Sequence, residues 1–189
     1  MTGLQVQDAA AFSVRLPELL EVYRAAFLEI HEPDPARAAA ERSGLMRQHA
    51  QRPGLRLVTA TDRDGQLQGF CYSYHGHRGQ WWHDVIVEAL GPTEAQEWLG
   101  DCREVVELHV LPAAQGAGLG RQLLRGALTG VPERTCLLSA LELPESRARR
   151  LYASEGFHPL LSQFRFPGSP TPYAILGKVL PAGEPAPPS

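Results

Sequence analysis

Apolar side chains recur at helical spacing early in the chain: Leu16, Leu19, Leu20, Tyr23 and Phe27 fall on one stripe and predict a first helix. The short apolar segment before it, Ala11–Val14, reads as a strand. A second helix is predicted from about Pro35 to Gln51, with proline early in it and Pro53-Gly54 after it. The period then shortens. Leu55–Ala60 and Leu67–Tyr74 flank Asp62-Arg-Asp-Gly65 and predict a hairpin. Glu104–Val110 alternates as a strand, and Leu119, Leu123, Leu124, Ala127 and Leu128 return to helical spacing. Thr135–Leu141 is the next predicted strand. A helix follows with Ala148, Leu151 and Tyr152 on one face, and strands near Phe157–Phe166 and Tyr173–Val179 close the chain. Residues 76–103 form a long insertion, in which Trp81–Leu90 suits a short amphipathic helix. The order βααββ, insertion, β, α, β, α, ββ implies an α+β protein with a single sheet flanked by helices. It fills one domain over residues 1–180, and the tail from Pro181 to Ser189 is too proline-rich to pack.

Composition narrows the class of partner. The chain has 189 residues, enough for one sizeable core, and 43% of them are hydrophobic. A net charge of −3 argues against nonspecific nucleic-acid binding, which needs a basic surface. Cys71, Cys102 and Cys136 are scattered and form no CxxC pair, so they read as reduced, mostly buried thiols of a cytoplasmic protein. The N-terminus has no signal-like pattern and no apolar run reaches membrane-spanning length. His75, His77, His83 and Asp84 have donor types that suit zinc, but the glycines between them fix no geometry, and no metal is expected.

The chemistry concentrates between the central strand and its helix. Gln115-Gly-Ala-Gly-Leu-Gly-Arg121 lets the backbone curl and leaves amides bare at a helix start, where negative charge is favoured. A P-loop needs Gly-Lys-Ser/Thr, and the chain has Gly120-Arg121-Gln122. A dinucleotide fingerprint needs a third glycine where Arg121 stands, although Glu142 lies where a ribose-binding acid would fall. The turn lies past the middle of the chain with no repeated βαβ pattern after it, which counts against that reading.

Gln115-x-x-Gly118-x-Gly120, with Val110-Leu-Pro112 before it and Gly120-Arg-Gln-Leu-Leu124 after it, resembles the coenzyme loop of the GNAT N-acyltransferase superfamily. Ala148-Arg-Arg-Leu-Tyr152-Ala-Ser-Glu-Gly156-Phe157 resembles a second motif of the same superfamily, in the expected order. The resemblance covers roughly residues 55–180. It implies a mixed, mainly antiparallel sheet and an N-acetyltransferase that uses acetyl-CoA as acyl donor, with direct attack by an amine in a ternary complex. Amides of Gly116, Ala117, Gly118, Leu119, Gly120 and Arg121 would bind the pyrophosphate. Backbone groups of Leu108 and Val110 would pair with the pantetheine arm, and the Val110 N–H would face the thioester oxygen. Gln115 would touch phosphate or tie down the turn. Tyr152 would protonate the leaving thiolate, unless it is only a core aromatic. Glu104 would be the base, with a rim salt bridge as its alternative; by strict alternation it shares a side with Val110, and Glu107 and His109 point the other way. Relatives often carry asparagine at position 145; Glu145 here is better suited to capping the helix. Tyr23, Phe27 and Glu29 of the first helix, and Trp82 and His83 of the insertion, are candidate acceptor walls. The acceptor itself stays open between small molecules and peptides, as does a homodimer through the late strands. An acyl-CoA sensor without activity is the alternative function.

Overall fold

The computed structural model describes residues 3–28, 31–143 and 146–181. Seven strands form one sheet in the order β1-β2-β3-β4-β5-β7-β6, with β1 Gly3–Gln7, β2 Arg56–Thr61, β3 Leu67–Gly76, β4 Cys102–Val110, β5 Thr135–Leu141, β6 His158–Phe164 and β7 Tyr173–Val179. The β4–β5 pair is parallel, whereas β1–β2, β2–β3, β5–β7 and β6–β7 are antiparallel. The helices are α1 Ala9–Tyr23, α2 Pro35–His49, α3 Trp81–Leu90, α4 Pro92–Leu99, α5 Leu119–Leu128 and α6 Arg147–Ser154. The predicted mixed α+β sheet is therefore present. The chain folds as two compact units: residues through Tyr74 with Val106–Thr129, and His75–Val105 with the residues from Gly130 on.

In the first unit, α1 and α2 cover β2 and β3. Phe12, Leu16, Leu19, Met46, Leu57, Phe70 and Tyr72 form its core. The segment Ala11–Val14, expected as a strand, is instead the start of α1. The Asp8 carboxylate accepts hydrogen bonds from the amides of Ala10 and Ala11 and so caps the helix there. The strand lies upstream, where Leu4 to Gln7 alternates apolar and polar. Helix α1 runs on into a wider π turn, Arg24–Leu28. Across the sheet α5 lies close to β2: a Cβ on Gly126 would meet Val58 at 3.0 Å, and Arg56 Nε donates to the Gly126 carbonyl at 3.0 Å. Gly69 of β3 is equally constrained. A Cβ there would stand 2.8 Å from the His109 carbonyl oxygen, so the absence of a side chain lets β3 and β4 pair closely.

In the second unit, Ile86, Ala95, Leu99, Cys102, Leu137 and Ile175 form the core. The predicted insertion helix is present as α3, and a second helix, α4, follows it with proline at its start. Thr135 Oγ1 ties β5 to the end of α4 by donating to the Trp98 carbonyl at 2.6 Å. Arg103 and Glu133 form a buried ion pair at 2.9 Å.

Candidate active site

The glycine turn belongs to the first unit. β4 ends in a short 3-10 turn, Pro112–Ala114, and the chain then curls through Gly116 at φ 87° and Gly118 at φ 80°. Both values lie in the left-handed region that glycine alone enters cheaply. Gly118 is the N-cap of α5 and, having no side chain, makes no cap hydrogen bond of its own, while a Cβ built on Gly116 or Gly118 would meet nothing within 4 Å. The first turn of α5 begins there, at the positive end of the helix dipole. Leu119, Leu123, Leu124 and Ala127 bury one face of α5 and hold this end in position. Gly116, Ala117, Gly118 and Arg121 are exposed and Gly120 is half-buried. Of the two roles open to Gln115, tying down the turn is visible: its Nε2 donates to the Val110 carbonyl at 3.0 Å.

The same unit holds a polar cluster that sequence pattern did not single out. Glu107 of β4 forms an ion pair with Arg42 of α2 at 3.1 Å and accepts a hydrogen bond from His109 Nε2 at 2.6 Å. Burial alone would push the Glu107 carboxyl up; Arg42 and His109 together hold it below the usual carboxylate range. Arg42 is itself raised, chiefly by Glu107, and its guanidinium stands 5.4 Å from the Tyr23 ring centre. Burial, then Glu107, pushes the Tyr23 phenol up to about 12, so it stays protonated. Burial and Arg42 push His49 down to about 4, and its Nδ1 lies 3.0 Å from the Tyr72 hydroxyl.

Aromatic rings surround this cluster. His109 meets Tyr23 edge-on at 4.8 Å and Phe27 at 5.7 Å between centroids, with Phe70 at 5.6 Å. Tyr23 and Phe27 stack at 5.6 Å, and His31 lies 4.8 Å from Phe27. The two first-helix residues expected as an acceptor wall thus come together around His109, whereas Glu29 falls outside the described residues. Val106 also packs on the α1–α2 core, next to Glu107, which bonds to α2. Two adjacent strand residues reaching one layer break the strict two-residue alternation, so the side that Glu104 presents does not follow from counting back from Val110.

In the second unit, Tyr152 of α6 is 7% exposed and packs edge-on against Phe157 at 5.8 Å. Its helix is capped by Ser146, whose Oγ accepts from the Arg149 amide; Glu145, expected to cap it, lies outside the described residues. Glu104 is 4% exposed and sits on the stretch of β4 that pairs with β5: Cys102↔Thr135, Arg103↔Cys136 and Glu104↔Leu137. Trp82 is half-buried and packs on the core of this unit, whereas His83 is buried with Nε2 3.2 Å from the Leu99 carbonyl oxygen. His83 thus links α3 to the end of α4. His75 lies 3.2 Å from Glu133. Among the described residues no group of His, Cys, Asp or Glu is arranged to hold a metal ion. Glu142, where a ribose-binding acid would fall, accepts from the Gln163 amide and approaches Arg149 at 3.5 Å. It supports the one non-glycine residue with positive φ among those described, Gln163 at 53°. No helix among the described residues is long and apolar enough to cross a membrane.

Comparison with known proteins bears on the family and the fold. The GNAT acetyltransferase domain model matches residues 53–159. A GCN5-like protein acetyltransferase of Mycobacterium tuberculosis is 39% identical over 122 residues, which cover 61% of this chain and 59% of the relative. The match thus spans well under two thirds of that relative's length. NAA60 of Arabidopsis thaliana, solved with a bisubstrate analogue, superposes with a TM-score of 0.64 at 16% identity, covering 96% of this chain and 99% of that one. The PaiA N-acetyltransferase of Thermoplasma acidophilum, solved with coenzyme A, gives a TM-score of 0.60 at 15% identity, covering 95% and 99%. At such identities the structures speak for the fold, and the family model speaks for descent: the chain belongs to the GNAT acetyltransferase family.

Proposed function

We propose that this protein transfers an acetyl group from acetyl-CoA to a primary amine of a small molecule or peptide. The observation that carries the reading is the start of α5: two left-handed glycines, open space where their side chains would be, and a glycine N-cap that puts no side chain over the positive end of the helix. That is a fit for a diphosphate, which needs converging donors and no competing carboxylate. Gly116 to Arg121 would hold it. The β4–β5 ladder of three pairs ends at Glu104↔Leu137, although β4 runs to Val110 and β5 to Leu141. This supports Leu108 and Val110 as the backbone partners of the pantetheine arm. Gln115 already engages the Val110 carbonyl, which leaves the Val110 N–H as the group to polarise the thioester oxygen.

Acetyl-CoA brings a thioester carbon open to attack. Tyr152 would donate its phenol proton to the departing sulfur. Two side chains of β4, Glu104 and His109, are candidates to accept the amine proton. The tuberculosis relative is described as a protein acetyltransferase, which favours a peptide or protein amine over a free metabolite.

Calorimetry with acetyl-CoA, followed by thiol release over a panel of amines and N-terminal peptides, tests the reading. Saturable binding with release for at least one amine is expected. Tight binding with no release for any amine would favour a sensor, and no binding would end the proposal.

A further inference from the structure

We infer that His109 is the catalytic base toward the acceptor amine, positioned by Glu107 and Arg42, and that Phe27 walls the approach to it. This rests on the acetyl-transfer reading and adds to it the group that receives the proton. An ionised carboxylate only accepts hydrogen bonds. Glu107 is held in that form by Arg42, so at 2.6 Å the Nε2 of His109 must be the donor. The neutral ring then carries its lone pair on Nδ1. Among the described residues Nδ1 makes no hydrogen bond, while the ring is fixed by Tyr23, Phe27 and Phe70. A histidine held at one nitrogen by a carboxylate, with the other left bare, is the arrangement a general base needs.

Exposure runs in the same direction. Phe70 is fully buried, the His109 side chain is 11% exposed, Phe27 is half-buried and His31 is exposed. The rings therefore lead from the core to the surface, and His109 is the last titratable group along them that a carboxylate aligns. Glu104 is less accessible, at 4%. His109 also immediately precedes Val110, whose amide is the proposed thioester contact. The titratable groups in contact with it are Tyr23 of α1 and Glu107 of its own strand; one contact further out stand Arg42 of α2, against both of these, and His31, against Phe27, while His49 of α2 and Tyr72 of β3 meet each other beside Phe70. Tyr23 stays neutral and Arg42 is matched by Glu107.

The step balances. The amine nitrogen bonds to the thioester carbon as the C–S bond breaks with its electron pair to sulfur. Nδ1 of His109 takes the proton shed by nitrogen, and sulfur takes one from the Tyr152 phenol. The products are the acetamide and the free CoA thiol.

The experiment measures kcat and KM across pH for the wild type, His109→Gln, Glu107→Gln and Glu104→Gln, with melting temperatures as a check on folding. Expected results are a loss of about 100-fold in kcat for His109→Gln with little change in KM for acetyl-CoA, and flattening of the low-pH limb. Added imidazole should restore part of the rate of His109→Ala, which a structural role would not allow. Glu107→Gln should lose about 10-fold in kcat. Long-range proton–nitrogen NMR on the protein without substrate should show the His109 proton on Nε2 in the wild type. A wild-type enzyme that acetylates amines while His109→Gln keeps its rate and pH profile would overturn the inference alone. So would loss of the pH limb in Glu104→Gln only, or a proton on Nδ1. A wild type that releases no thiol with any amine would overturn the acetyl-transfer reading and the inference with it.

Discussion

His49 shows how one side chain writes itself into the behaviour of the protein. Burial, and then Arg42, lowers its folded pKa to about 4, against an ordinary value near 6.5. The unfolded chain takes up a proton on His49 as pH falls below about 6.5, whereas the folded chain resists until about 4. Stability is therefore full above the upper value and drains away through that window. Glu107 acts in the same direction but lower, in the carboxylate range, because its folded pKa is depressed. Urea unfolding at a series of pH values should show a decline on the order of 2 kcal/mol between these limits, flattened in His49→Gln. None of this could be read from the chain. Sequence spacing put Glu107 and His109 on one face, but Arg42 and His49 lie about sixty residues earlier, and only folding α2 onto β4 joins them.

At the scale of elements, most of the fold was legible because period and punctuation agreed. The hairpin around Asp62–Gly65, the central strand, the glycine turn with its helix and the two closing strands stand where the pattern put them. The failures have local causes. Pro17 lies inside α1, so the helix ran back past a residue that usually opens one. The cap at Asp8, and not hydrophobic spacing, marks its start. Helix α4 was missed because it is short and follows α3 after one glycine. The π turn and the lost alternation at Val106–Glu107 are single-residue shifts, which periodicity cannot register. The element most exposed to mutation is the start of α5. Gly118→Ala meets no steric obstacle but must keep φ near 80°, at a cost of about 1–2 kcal/mol. Calorimetry should find acetyl-CoA bound about tenfold more weakly, with α5 still formed by circular dichroism.

Across the whole molecule, the three cysteines behave alike. Cys71, Cys102 and Cys136 are all buried and none is joined in a disulfide. Burial pushes the Cys102 thiol up to about 12, so little thiolate is available for attack. A colorimetric thiol reagent should therefore react slowly with the native protein and rapidly with three groups once detergent unfolds it. A fast native reaction at any of them would contradict the packing. The same inertness keeps the background low when released CoA is counted with that reagent.

The chain passes between its two units three times, after Tyr74, Val105 and Thr129. Neither unit is a contiguous stretch, so neither can be excised as a fragment. The family-matched segment 53–159, expressed alone, would strip β1 from β2 and β7 from β5. It would also remove Phe12, Leu16 and Leu19 from over Tyr72. Deletion mapping from either end would thus report collapse of the scaffold long before it reached the proposed catalytic groups.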